Sequence, residues 1–519
     1  MFMQPLRAIL AFNLLIAVAA PLDAKEAKPF KQQFDGIMAD FRRETNAARG
    51  DRQELVDAKQ RFDTRLQKCL EDIRASGGGS PAVGDLIVAV AIAEQLSKSD
   101  EVVELCDQIL RRDPDCDAAI YARLRGLIGV RRLDDAELHV RQALRGAEPL
   151  SDRYSMCGLL LGAFNQDGKW SKGVEYGTLF LTWCSAKIRA EGGVNVAMSS
   201  FVDLFEQCAD KAGDERGLNG VVERMLGDVS AAIDVAQERS SAKATDWKQI
   251  DFLFQLKHKL CCLSANDDPA ACVADWLKLL TVSAKGAQPP PPAAIAEGAN
   301  AGVSSLALAR DLDAVKKSVA ECLAALEYLK PASKVGEPIN SGVAALKRLE
   351  SMIEIERELR GMKGKALDLM DKADWHHNPA RTEAGPMIVY VWSPSGRNPG
   401  LTLRNNLSKI RDTIPLPLTA VSPYTENPAA PEEDAAAGRR QKEGAAIRKL
   451  AGAVSDKIAV ACIEGRLLSE TIPAGSFPQV YLLDSTGSVE LAVVGIDRWR
   501  LKRLRVAAAN LSKVDRPSK

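Results

Sequence analysis

The chain is poor in aromatic residues, in histidine and in net charge. Aromatic side chains make up 5% of its 519 residues, so its 46% of hydrophobic residues come mainly from Ala, Leu and Val. This composition favours helices packed through small side chains over an all-β sandwich. Lys and Arg number 69 and are matched by 69 Asp and Glu, which excludes the chain-wide positive field expected of a nucleic-acid-binding protein. Four histidines and the lack of any Cys-x-x-Cys pair argue against a metal-rich enzyme, and we predict no metal and no cofactor.

Long apolar runs are also missing, except at the start of the chain. An apolar run over residues 8–20, interrupted by Asn13, follows Arg7 and leads to small residues that end at Ala24. This order is typical of a secretory signal, and the run is shorter than the roughly 20 residues needed to span a bilayer. We therefore expect cleavage after Ala24, a periplasmic or extracellular chain, and no membrane insertion after cleavage. Retention of the segment as an anchor stays open.

The eleven cysteines have two interpretations. Export would permit disulfides, and Cys262 with Cys272 could close a short loop, although spacing does not determine connectivity. Alternatively, most of the cysteines are small buried residues of helices.

A repeat begins near residue 83. The segment 100–114 resembles the second helix of a tetratricopeptide repeat, with that family's packing positions and closing proline at Val102, Cys106, Ile109 and Pro114. The pattern returns 34 residues later at Ala136, Val140 and Ala143, with Pro149 one residue late. A third, looser unit over 151–184 has Gly173 and Phe180 in equivalent places. An irregular helical bundle is the alternative.

The second repeat contains candidate binding residues. In the helix that begins at Asp117, residues at helical spacing should pack into the core: Ile120, Leu124 and Leu127. Tyr121 and Arg125 lie four residues apart on the adjacent face and could point into a groove. Because Tyr and Arg are common anchors at protein interfaces, we expect a protein or peptide partner. The oligomeric state does not follow from the sequence.

Beyond residue 358 the pattern changes to short strands. Residues 387–392 form a β-branched and aromatic run, and 479–484 and 489–494 flank a turn. The expected order, β-α-β-α-β-β-α, indicates an α/β sheet with helices on both faces. A loop is expected at His376 and His377. The closing helix, 497–511, carries a basic stretch that we interpret as a solvated face, namely Arg498, Arg500, Lys502, Arg503 and Arg505.

Two of these segments carry a second resemblance. Residues 388–392 with the loop after them resemble the first core strand and active-site loop of exported thioredoxin-like proteins of the redoxin type. Residues 476–489 resemble that family's later hairpin, in which Pro478 would be the cis-proline, and 359–369 loosely resemble its leader hairpin. The resemblance implies a multidomain fold, in which an all-α helical-repeat region precedes an α/β thioredoxin-like domain.

The loop departs from the family where the chemistry occurs. In register with Trp392, the positions of the two reactive cysteines are Gly396 and Pro399, so the loop is a degenerate redox loop without a nucleophile. Cys462 is the sole thiol of the predicted domain and ends a predicted buried strand. We predict no catalytic residue and favour an exported, non-enzymatic interaction scaffold. Two alternatives remain open: an atypical thiol oxidoreductase or peroxidase that uses Cys462, and a structural helical envelope protein.

The predicted organisation has eight parts. They are a signal peptide (1–24), an N-terminal helical segment (25–80), tetratricopeptide-like repeats (83–185), a further α-helical region (186–285), a Pro-rich linker (286–302), a helical connector (303–357), a thioredoxin-like domain (358–513) and a tail (514–519).

Overall fold

The computed structural model describes the greater part of the chain. The described residues are 28–48, 51–76, 81–192, 198–242, 246–264, 266–284, 290–329, 336–367, 369, 372–377, 385–393, 399–424, 441–442, 444–449, 455, 457–464, 467–468, 471–473 and 477–514. The predicted signal peptide and Gly396 lie outside these ranges, as does the predicted tail apart from Val514. The chain divides into two compact units, residues 1–232 and 233–519. This division differs from the predicted one, because the second unit includes helices that precede the predicted linker.

The first unit consists of helices in consecutive pairs. Their bounds are α1 (Lys28–Ala47), α2 (Arg52–Ser76), α3 (Val83–Gln95), α4 (Ser99–Leu110), α5 (Asp117–Gly129), α6 (Leu133–Ala143), α7 (Met156–Gln166), α8 (Trp170–Glu191), α9 (Met198–Ala212) and α10 (Glu215–Ala242), which continues into the second unit. Helix starts follow from local chemistry: the Asp51 carboxylate, for example, accepts hydrogen bonds from the backbone of Gln53 and Glu54 at the start of α2.

The repeat prediction is confirmed by the packing of these pairs. Helices α3 and α5 begin 34 residues apart, at Val83 and Asp117. The predicted packing positions in α4 and α6 are buried: Val102, Cys106, Ile109, Ala136, Val140 and Ala143. The residues assigned to the core of α5 are buried as well. At Gly173 in α8 an added Cβ would overlap the sulfur of Cys208 in α9, so a small residue is required where these helices cross.

The second unit begins with helices and ends with a sheet. Its helices before the sheet are α11 (Trp247–Leu263), α12 (Pro269–Ala284), α13 (Pro292–Ser305), α14 (Leu312–Leu329) and α15 (Gly336–Arg360). Residues 292–302, expected to belong to a linker, form most of α13, because Pro292 is a favourable first residue of a helix and the residues that follow pack against α12 and α15. No helix in the described ranges combines the length and the apolarity that a membrane span requires.

The sheet has six strands and mixed direction. The elements are β1 (Asp374–His377), β2 (Met387–Val391), α16 (Pro399–Thr413), β3 (Leu418–Pro423), β4 (Ala459–Ile463), β5 (Gln479–Leu483), β6 (Val489–Val494) and α17 (Arg498–Val514), and residues 444–449 are also helical. The strand order is β1-β4-β3-β2-β5-β6. β2, β3 and β4 are parallel to one another, whereas β1, β5 and β6 pair antiparallel to their neighbours.

Two features of this sheet differ from the sequence-based predictions. His376 and His377 lie in the edge strand β1 rather than in a loop, because Asp374, Trp375 and His377 pair with β4 and His376 lies in a bulge between the last two. The basic stretch of α17 is not a solvated face throughout, since Arg500 is 4% exposed and its guanidinium bonds to the end of α13. At the edge of the sheet opposite β1, residues 364–366 pair with the start of β6.

One face of the sheet packs against α16 and α17. Ile388 and Tyr390 of β2 and Trp392 just after it lie in one buried cluster with Leu407 of α16 and Leu504 of α17. The alternation follows from the two-residue period of a strand. This packing fixes the start of α16 beside the carboxyl end of β2.

Candidate functional site

The first helices of successive pairs, α3, α5, α7 and α9, pack side by side. Each of the helices α3, α5 and α7 has a row of half-buried side chains, and the three rows lie on the same side. We call this set the inner face: Ile87, Ala91 and Glu94 of α3; Tyr121, Arg125 and Ile128 of α5; and Ser155, Leu159 and Gly162 at and within α7. The i, i+4, i+7 spacing places each row along one side of its helix. The face is therefore mainly apolar, with a few polar groups.

The two predicted anchors lie on this face, and both have intramolecular partners. Tyr121 donates its hydroxyl to the carbonyl of Asp152 and lies 2.9 Å from the Ser155 hydroxyl. Burial raises the pKa of Tyr121 to about 12. Arg125 Nε donates to Glu94 at 2.7 Å. These polar groups link consecutive helix pairs, so their first role is structural.

Similar polar contacts recur along the repeats. They join residues separated by 31 to 36 positions: Arg125–Glu94, Tyr121–Ser155, Arg153–Asp117, Arg141–Glu175, Lys172–Glu137 and Lys169–Asp134. From Asn165 onward the separation grows to between 39 and 43, as in Asn165–Leu204 and Ser185–Asp228. The repeat period is therefore visible in the polar contacts, and it lengthens between the third helix pair and the fourth, beyond the repeat whose sequence pattern is already loose.

Glu137 shows how such a contact is held. Its side chain is buried, and burial raises the pKa of its carboxyl, but the hydrogen bond from Lys172 and the charge of Arg141 outweigh burial and lower it. The carboxylate accepts from Lys172 Nζ at 2.6 Å. Glu137 is thus an ionised link between the second and third pairs.

The space around α7, the first helix of the third pair, differs between two of its glycines, Gly158 and Gly162. An added Cβ at Gly162 would meet no atom within 4 Å, whereas one at Gly158 would press on the rings of Phe180 and Phe201. The inner face is therefore accessible beside Leu159 and Gly162.

Of the residues assigned to the predicted redox loop, the structure describes Trp392 and Pro399. Trp392 follows the strand, and its backbone N–H donates to Val421 at 3.0 Å. Its ring is buried, and Nε1 has no hydrogen-bond partner among the residues that the structure describes. Pro399 is the first residue of α16, as the sequence indicated. The Phe477–Pro478 peptide bond is cis, as predicted, and it precedes Gln479, which pairs with Val391.

Cys462 lies elsewhere. It is 0% exposed in β4, opposite Ser422 on one side and Asp374 on the other. Because β3 separates β4 from β2, the thiol is about 10 Å from the strand that leads to the loop. The sequence brought Cys462 and the loop into one domain, and the structure does not bring them together.

A hydrogen-bonded group at the β1 edge of the sheet was not predicted from the sequence. His376 Nε2 lies 3.1 Å from the Tyr424 hydroxyl, which donates to Asp374 at 2.9 Å. The chain of hydrogen bonds attaches the edge strand β1 to the end of β3. It could not be found while residues 374–377 were interpreted as a loop. Within the described residues no three His, Cys, Asp or Glu side chains are placed to hold a metal ion.

Comparisons with known proteins give structural neighbours alone. No protein-family model matches the chain, and no curated protein matches it significantly. A tetratricopeptide repeat protein from Parabacteroides merdae is similar at 10% identity and a TM-score of 0.24, over 61% of this chain and 99% of that one. A circular tandem repeat protein is similar at 13% identity and 0.24, over 68% and 89%, and a computationally designed self-assembling cyclic homo-oligomer at 11% and 0.13, over 64% and 95%. The repeat architecture described above rests on the contacts of this chain itself.

Proposed function

We propose that this chain is an exported, non-enzymatic scaffold. Its helical repeats bind a protein or peptide segment, and its C-terminal sheet is a thioredoxin-like domain that lacks the reactive dithiol. The proposal for the sheet is supported by the position of Pro478 beside the end of β2, by Pro399 at the start of α16, and by the β5–β6 hairpin.

The burial of Cys462 carries the non-enzymatic part of the proposal. A thiol acts as a nucleophile when it is ionised and accessible, as at the start of a helix. Cys462 is inside a strand with neighbours on both sides, and the loop positions that would hold the thiols are Gly396 and Pro399. No residue of the loop replaces them.

Apolar contact is the way in which the inner face would hold a partner. Arg125, Glu94 and the Tyr121 hydroxyl are already bonded within the chain. The remaining side chains are apolar: Ile87, Ala91, Ile128 and Leu159. A segment with apolar side chains would gain by burying them there, at roughly 25 cal/mol for each Å², without competing for those polar groups.

A substitution at Gly162 tests this face. Gly162→Trp places a large side chain in open space on the inner face, so it should block a partner without disturbing the fold. Gly220→Trp is the matched control, because Gly220 is an exposed helical glycine of α10 whose Cβ would also meet no atom within 4 Å. In pull-downs from the envelope fraction of the exporting cell, we expect the Gly162 variant to lose partners that wild type and the control retain. Equal recovery with all three proteins would exclude this face as the binding site.

An activity assay tests the sheet separately. The full chain should not turn over a dithiol–disulfide substrate. Turnover that Cys462→Ser abolishes would instead identify the chain as an atypical oxidoreductase. Export is tested by intact-mass measurement of the native protein, in which we expect the loss of residues 1–24.

A further inference from the structure

The hairpin of α11 and α12 contains three cysteines close to its turn. Cys261 and Cys262 are in the last turn of α11, and Cys272 is in the first turn of α12. All three are at most 6% exposed, and none forms a disulfide. Of the two interpretations of the cysteines, these three therefore fit that of small buried residues of helices.

The two helices face each other through specific side chains. The rings of Phe254 and Trp276 stack with centroids 5.5 Å apart, which sets the antiparallel register of the hairpin. Following this register toward the turn brings Cys261 opposite the beginning of α12, about one helical turn from Cys272.

Cys262 has a different neighbour. Successive residues of a helix point about 100° apart, so Cys262 turns away from the direction of Cys261. Its sulfur lies 3.8 Å from Nε2 of His258, one turn earlier on the same helix. The thiol pair of the hairpin is thus Cys261 with Cys272.

Both thiols of this pair lie where the helices end. α11 ends at Leu263, and α12 begins at Pro269. Between them Ser264 accepts hydrogen bonds from the backbone of Asn266 and Asp267, and Asp268 accepts from Ala270. Terminal turns open locally with less free energy than the middle of a helix. Asp268 also accepts from the backbone of Arg310 and Asp311, so we expect an oxidant to reach the pair when the turn opens and these contacts break.

We propose that Cys261 and Cys272 form an oxidisable dithiol that closes to a disulfide across the hairpin. The oxidant is a low-molecular-weight disulfide of the glutathione type. One protein thiolate attacks a sulfur of the oxidant, whose S–S bond breaks and releases one thiol, and the second protein thiolate then displaces the other. Two protein thiols lose two protons and two electrons, and the oxidant is reduced to two thiols.

The two thiols should react slowly with the oxidant while the hairpin is closed. The hydrogen bond to Cys261, together with burial, raises the pKa of the Cys272 thiol, so the closed hairpin holds few thiolates at neutral pH. Oxidation should then follow opening of the turn, and the disulfide should hold the two helix ends together. This inference is independent of the proposed scaffold function and of the site on the inner face.

Oxidation of the reduced full-length protein with oxidised glutathione tests the proposal. The chain has eleven thiols, and we expect two fewer to react with a thiol reagent in denaturant after oxidation. Tandem mass spectrometry of a non-reducing digest should place the bond between Cys261 and Cys272 in the wild-type chain. The oxidised protein should melt about 5 °C higher than the reduced protein, as expected when a short loop is closed.

Cysteine variants provide the matched controls. Cys262→Ala should retain the cross-link, and Cys261→Ala should lose it. Eleven thiols after oxidation, a mixed disulfide with glutathione as the sole product, or a link from Cys272 to Cys262 in wild type would each overturn the proposal. Because the wild-type digest localises the bond by itself, a variant that fails to fold does not affect the result.

Discussion

Arg500 Nη2 donates a hydrogen bond of 2.9 Å to the carbonyl of Val303, a residue 197 positions earlier in the chain. Two further arginines bond to carbonyls just beyond: Arg360 to Leu306 and Ala309, and Arg503 to Ala307. Glu356, 2% exposed, lies between Arg360 and Arg503. The last carbonyls of a helix have no partner within it, so these arginines supply the donors that the end of α13 needs.

This cluster makes Arg500 important for stability. Arg500→Ala removes the donor to Val303 and leaves a buried carbonyl without it, which should reduce the free energy of unfolding by about 2–3 kcal/mol. Arg505→Ala, at a half-buried position of the same helix, should cost less than about 1 kcal/mol. Urea denaturation of both variants gives the two values. Equal losses would mean that the contact with α13 adds nothing.

The cluster also shows where sequence reasoning reached its limit. Five basic residues in a short helix match a solvated face, since charged residues are rarely buried without partners. Arg500 pairs locally with Asp497, but the other partners of Arg500 and Arg503 lie in α13, the turn after it and α15, between about 150 and 200 positions away. Nothing in the local pattern of α17 identifies them. Whether these arginines are buried depends on such distant contacts, so the sequence of α17 alone does not predict it.

The repeats could be predicted from the sequence more readily than this cluster, because their pattern is local and recurs. Helical spacing and small residues at fixed positions identified the buried faces of α4, α5 and α6 directly. Tyr121 and Arg125 are half-buried on one side of α5, and their place in a binding groove stays a prediction. Their bonds to Ser155 and Glu94 were missed, because each partner lies 31 to 34 residues away in the adjacent helix pair.

Helices α8 and α9 approach each other so closely at Gly173 that we expect this position not to tolerate a methyl group. Gly173→Ala should lower the free energy of unfolding by about 1–3 kcal/mol, because the new Cβ would overlap the Cys208 sulfur. Gly220→Ala is the control: there the methyl group meets no atom, and the higher helix propensity of Ala should stabilise by up to about 1 kcal/mol. Chemical denaturation of the two variants should therefore give shifts of opposite sign. A stabilised Gly173→Ala protein would contradict the close helix crossing.

Asp251 predicts a pH-dependent stability. Burial, then the nearby charge of Glu297, raises the pKa of Asp251 to about 6, although Gln255 donates to its carboxylate at 3.2 Å. In the unfolded chain the pKa of Asp is about 3.9. The folded state therefore binds more protons between roughly pH 4 and 6, and the contribution of Asp251 to stability falls as the pH rises through that window.

Replacing this carboxyl should remove the penalty above the window. Asp251→Asn should raise the free energy of unfolding by about 1 kcal/mol at pH 7.5, a figure reduced for the partial exposure of the group, and change it little at pH 4. Asp275→Asn, at an exposed position of α12, is the control and should show no such dependence. Melting curves from pH 4 to 8 measure both. A benefit of Asp251→Asn that is the same at every pH would contradict the mechanism.

The contact of Tyr121 with Ser155 should contribute to the stability of the repeats whether or not a partner binds there. Tyr121→Phe keeps the ring and removes the hydroxyl, so it should lower the free energy of unfolding by about 1 kcal/mol. Tyr154→Phe is the control, at a half-buried tyrosine next to Ser155. It should change the free energy of unfolding by less than about 0.5 kcal/mol. A double-mutant cycle with Ser155→Ala isolates the bond between the two side chains, and we expect a coupling of about 0.5–1 kcal/mol because the hydroxyls lie 2.9 Å apart. A coupling of zero would show that the bond between Tyr121 and Ser155 adds nothing to the other links between the second and third helix pairs, such as Lys172–Glu137 and the contact of Tyr121 with the Asp152 carbonyl. In that case the Ser155 hydroxyl would be free to bond to a partner on the inner face.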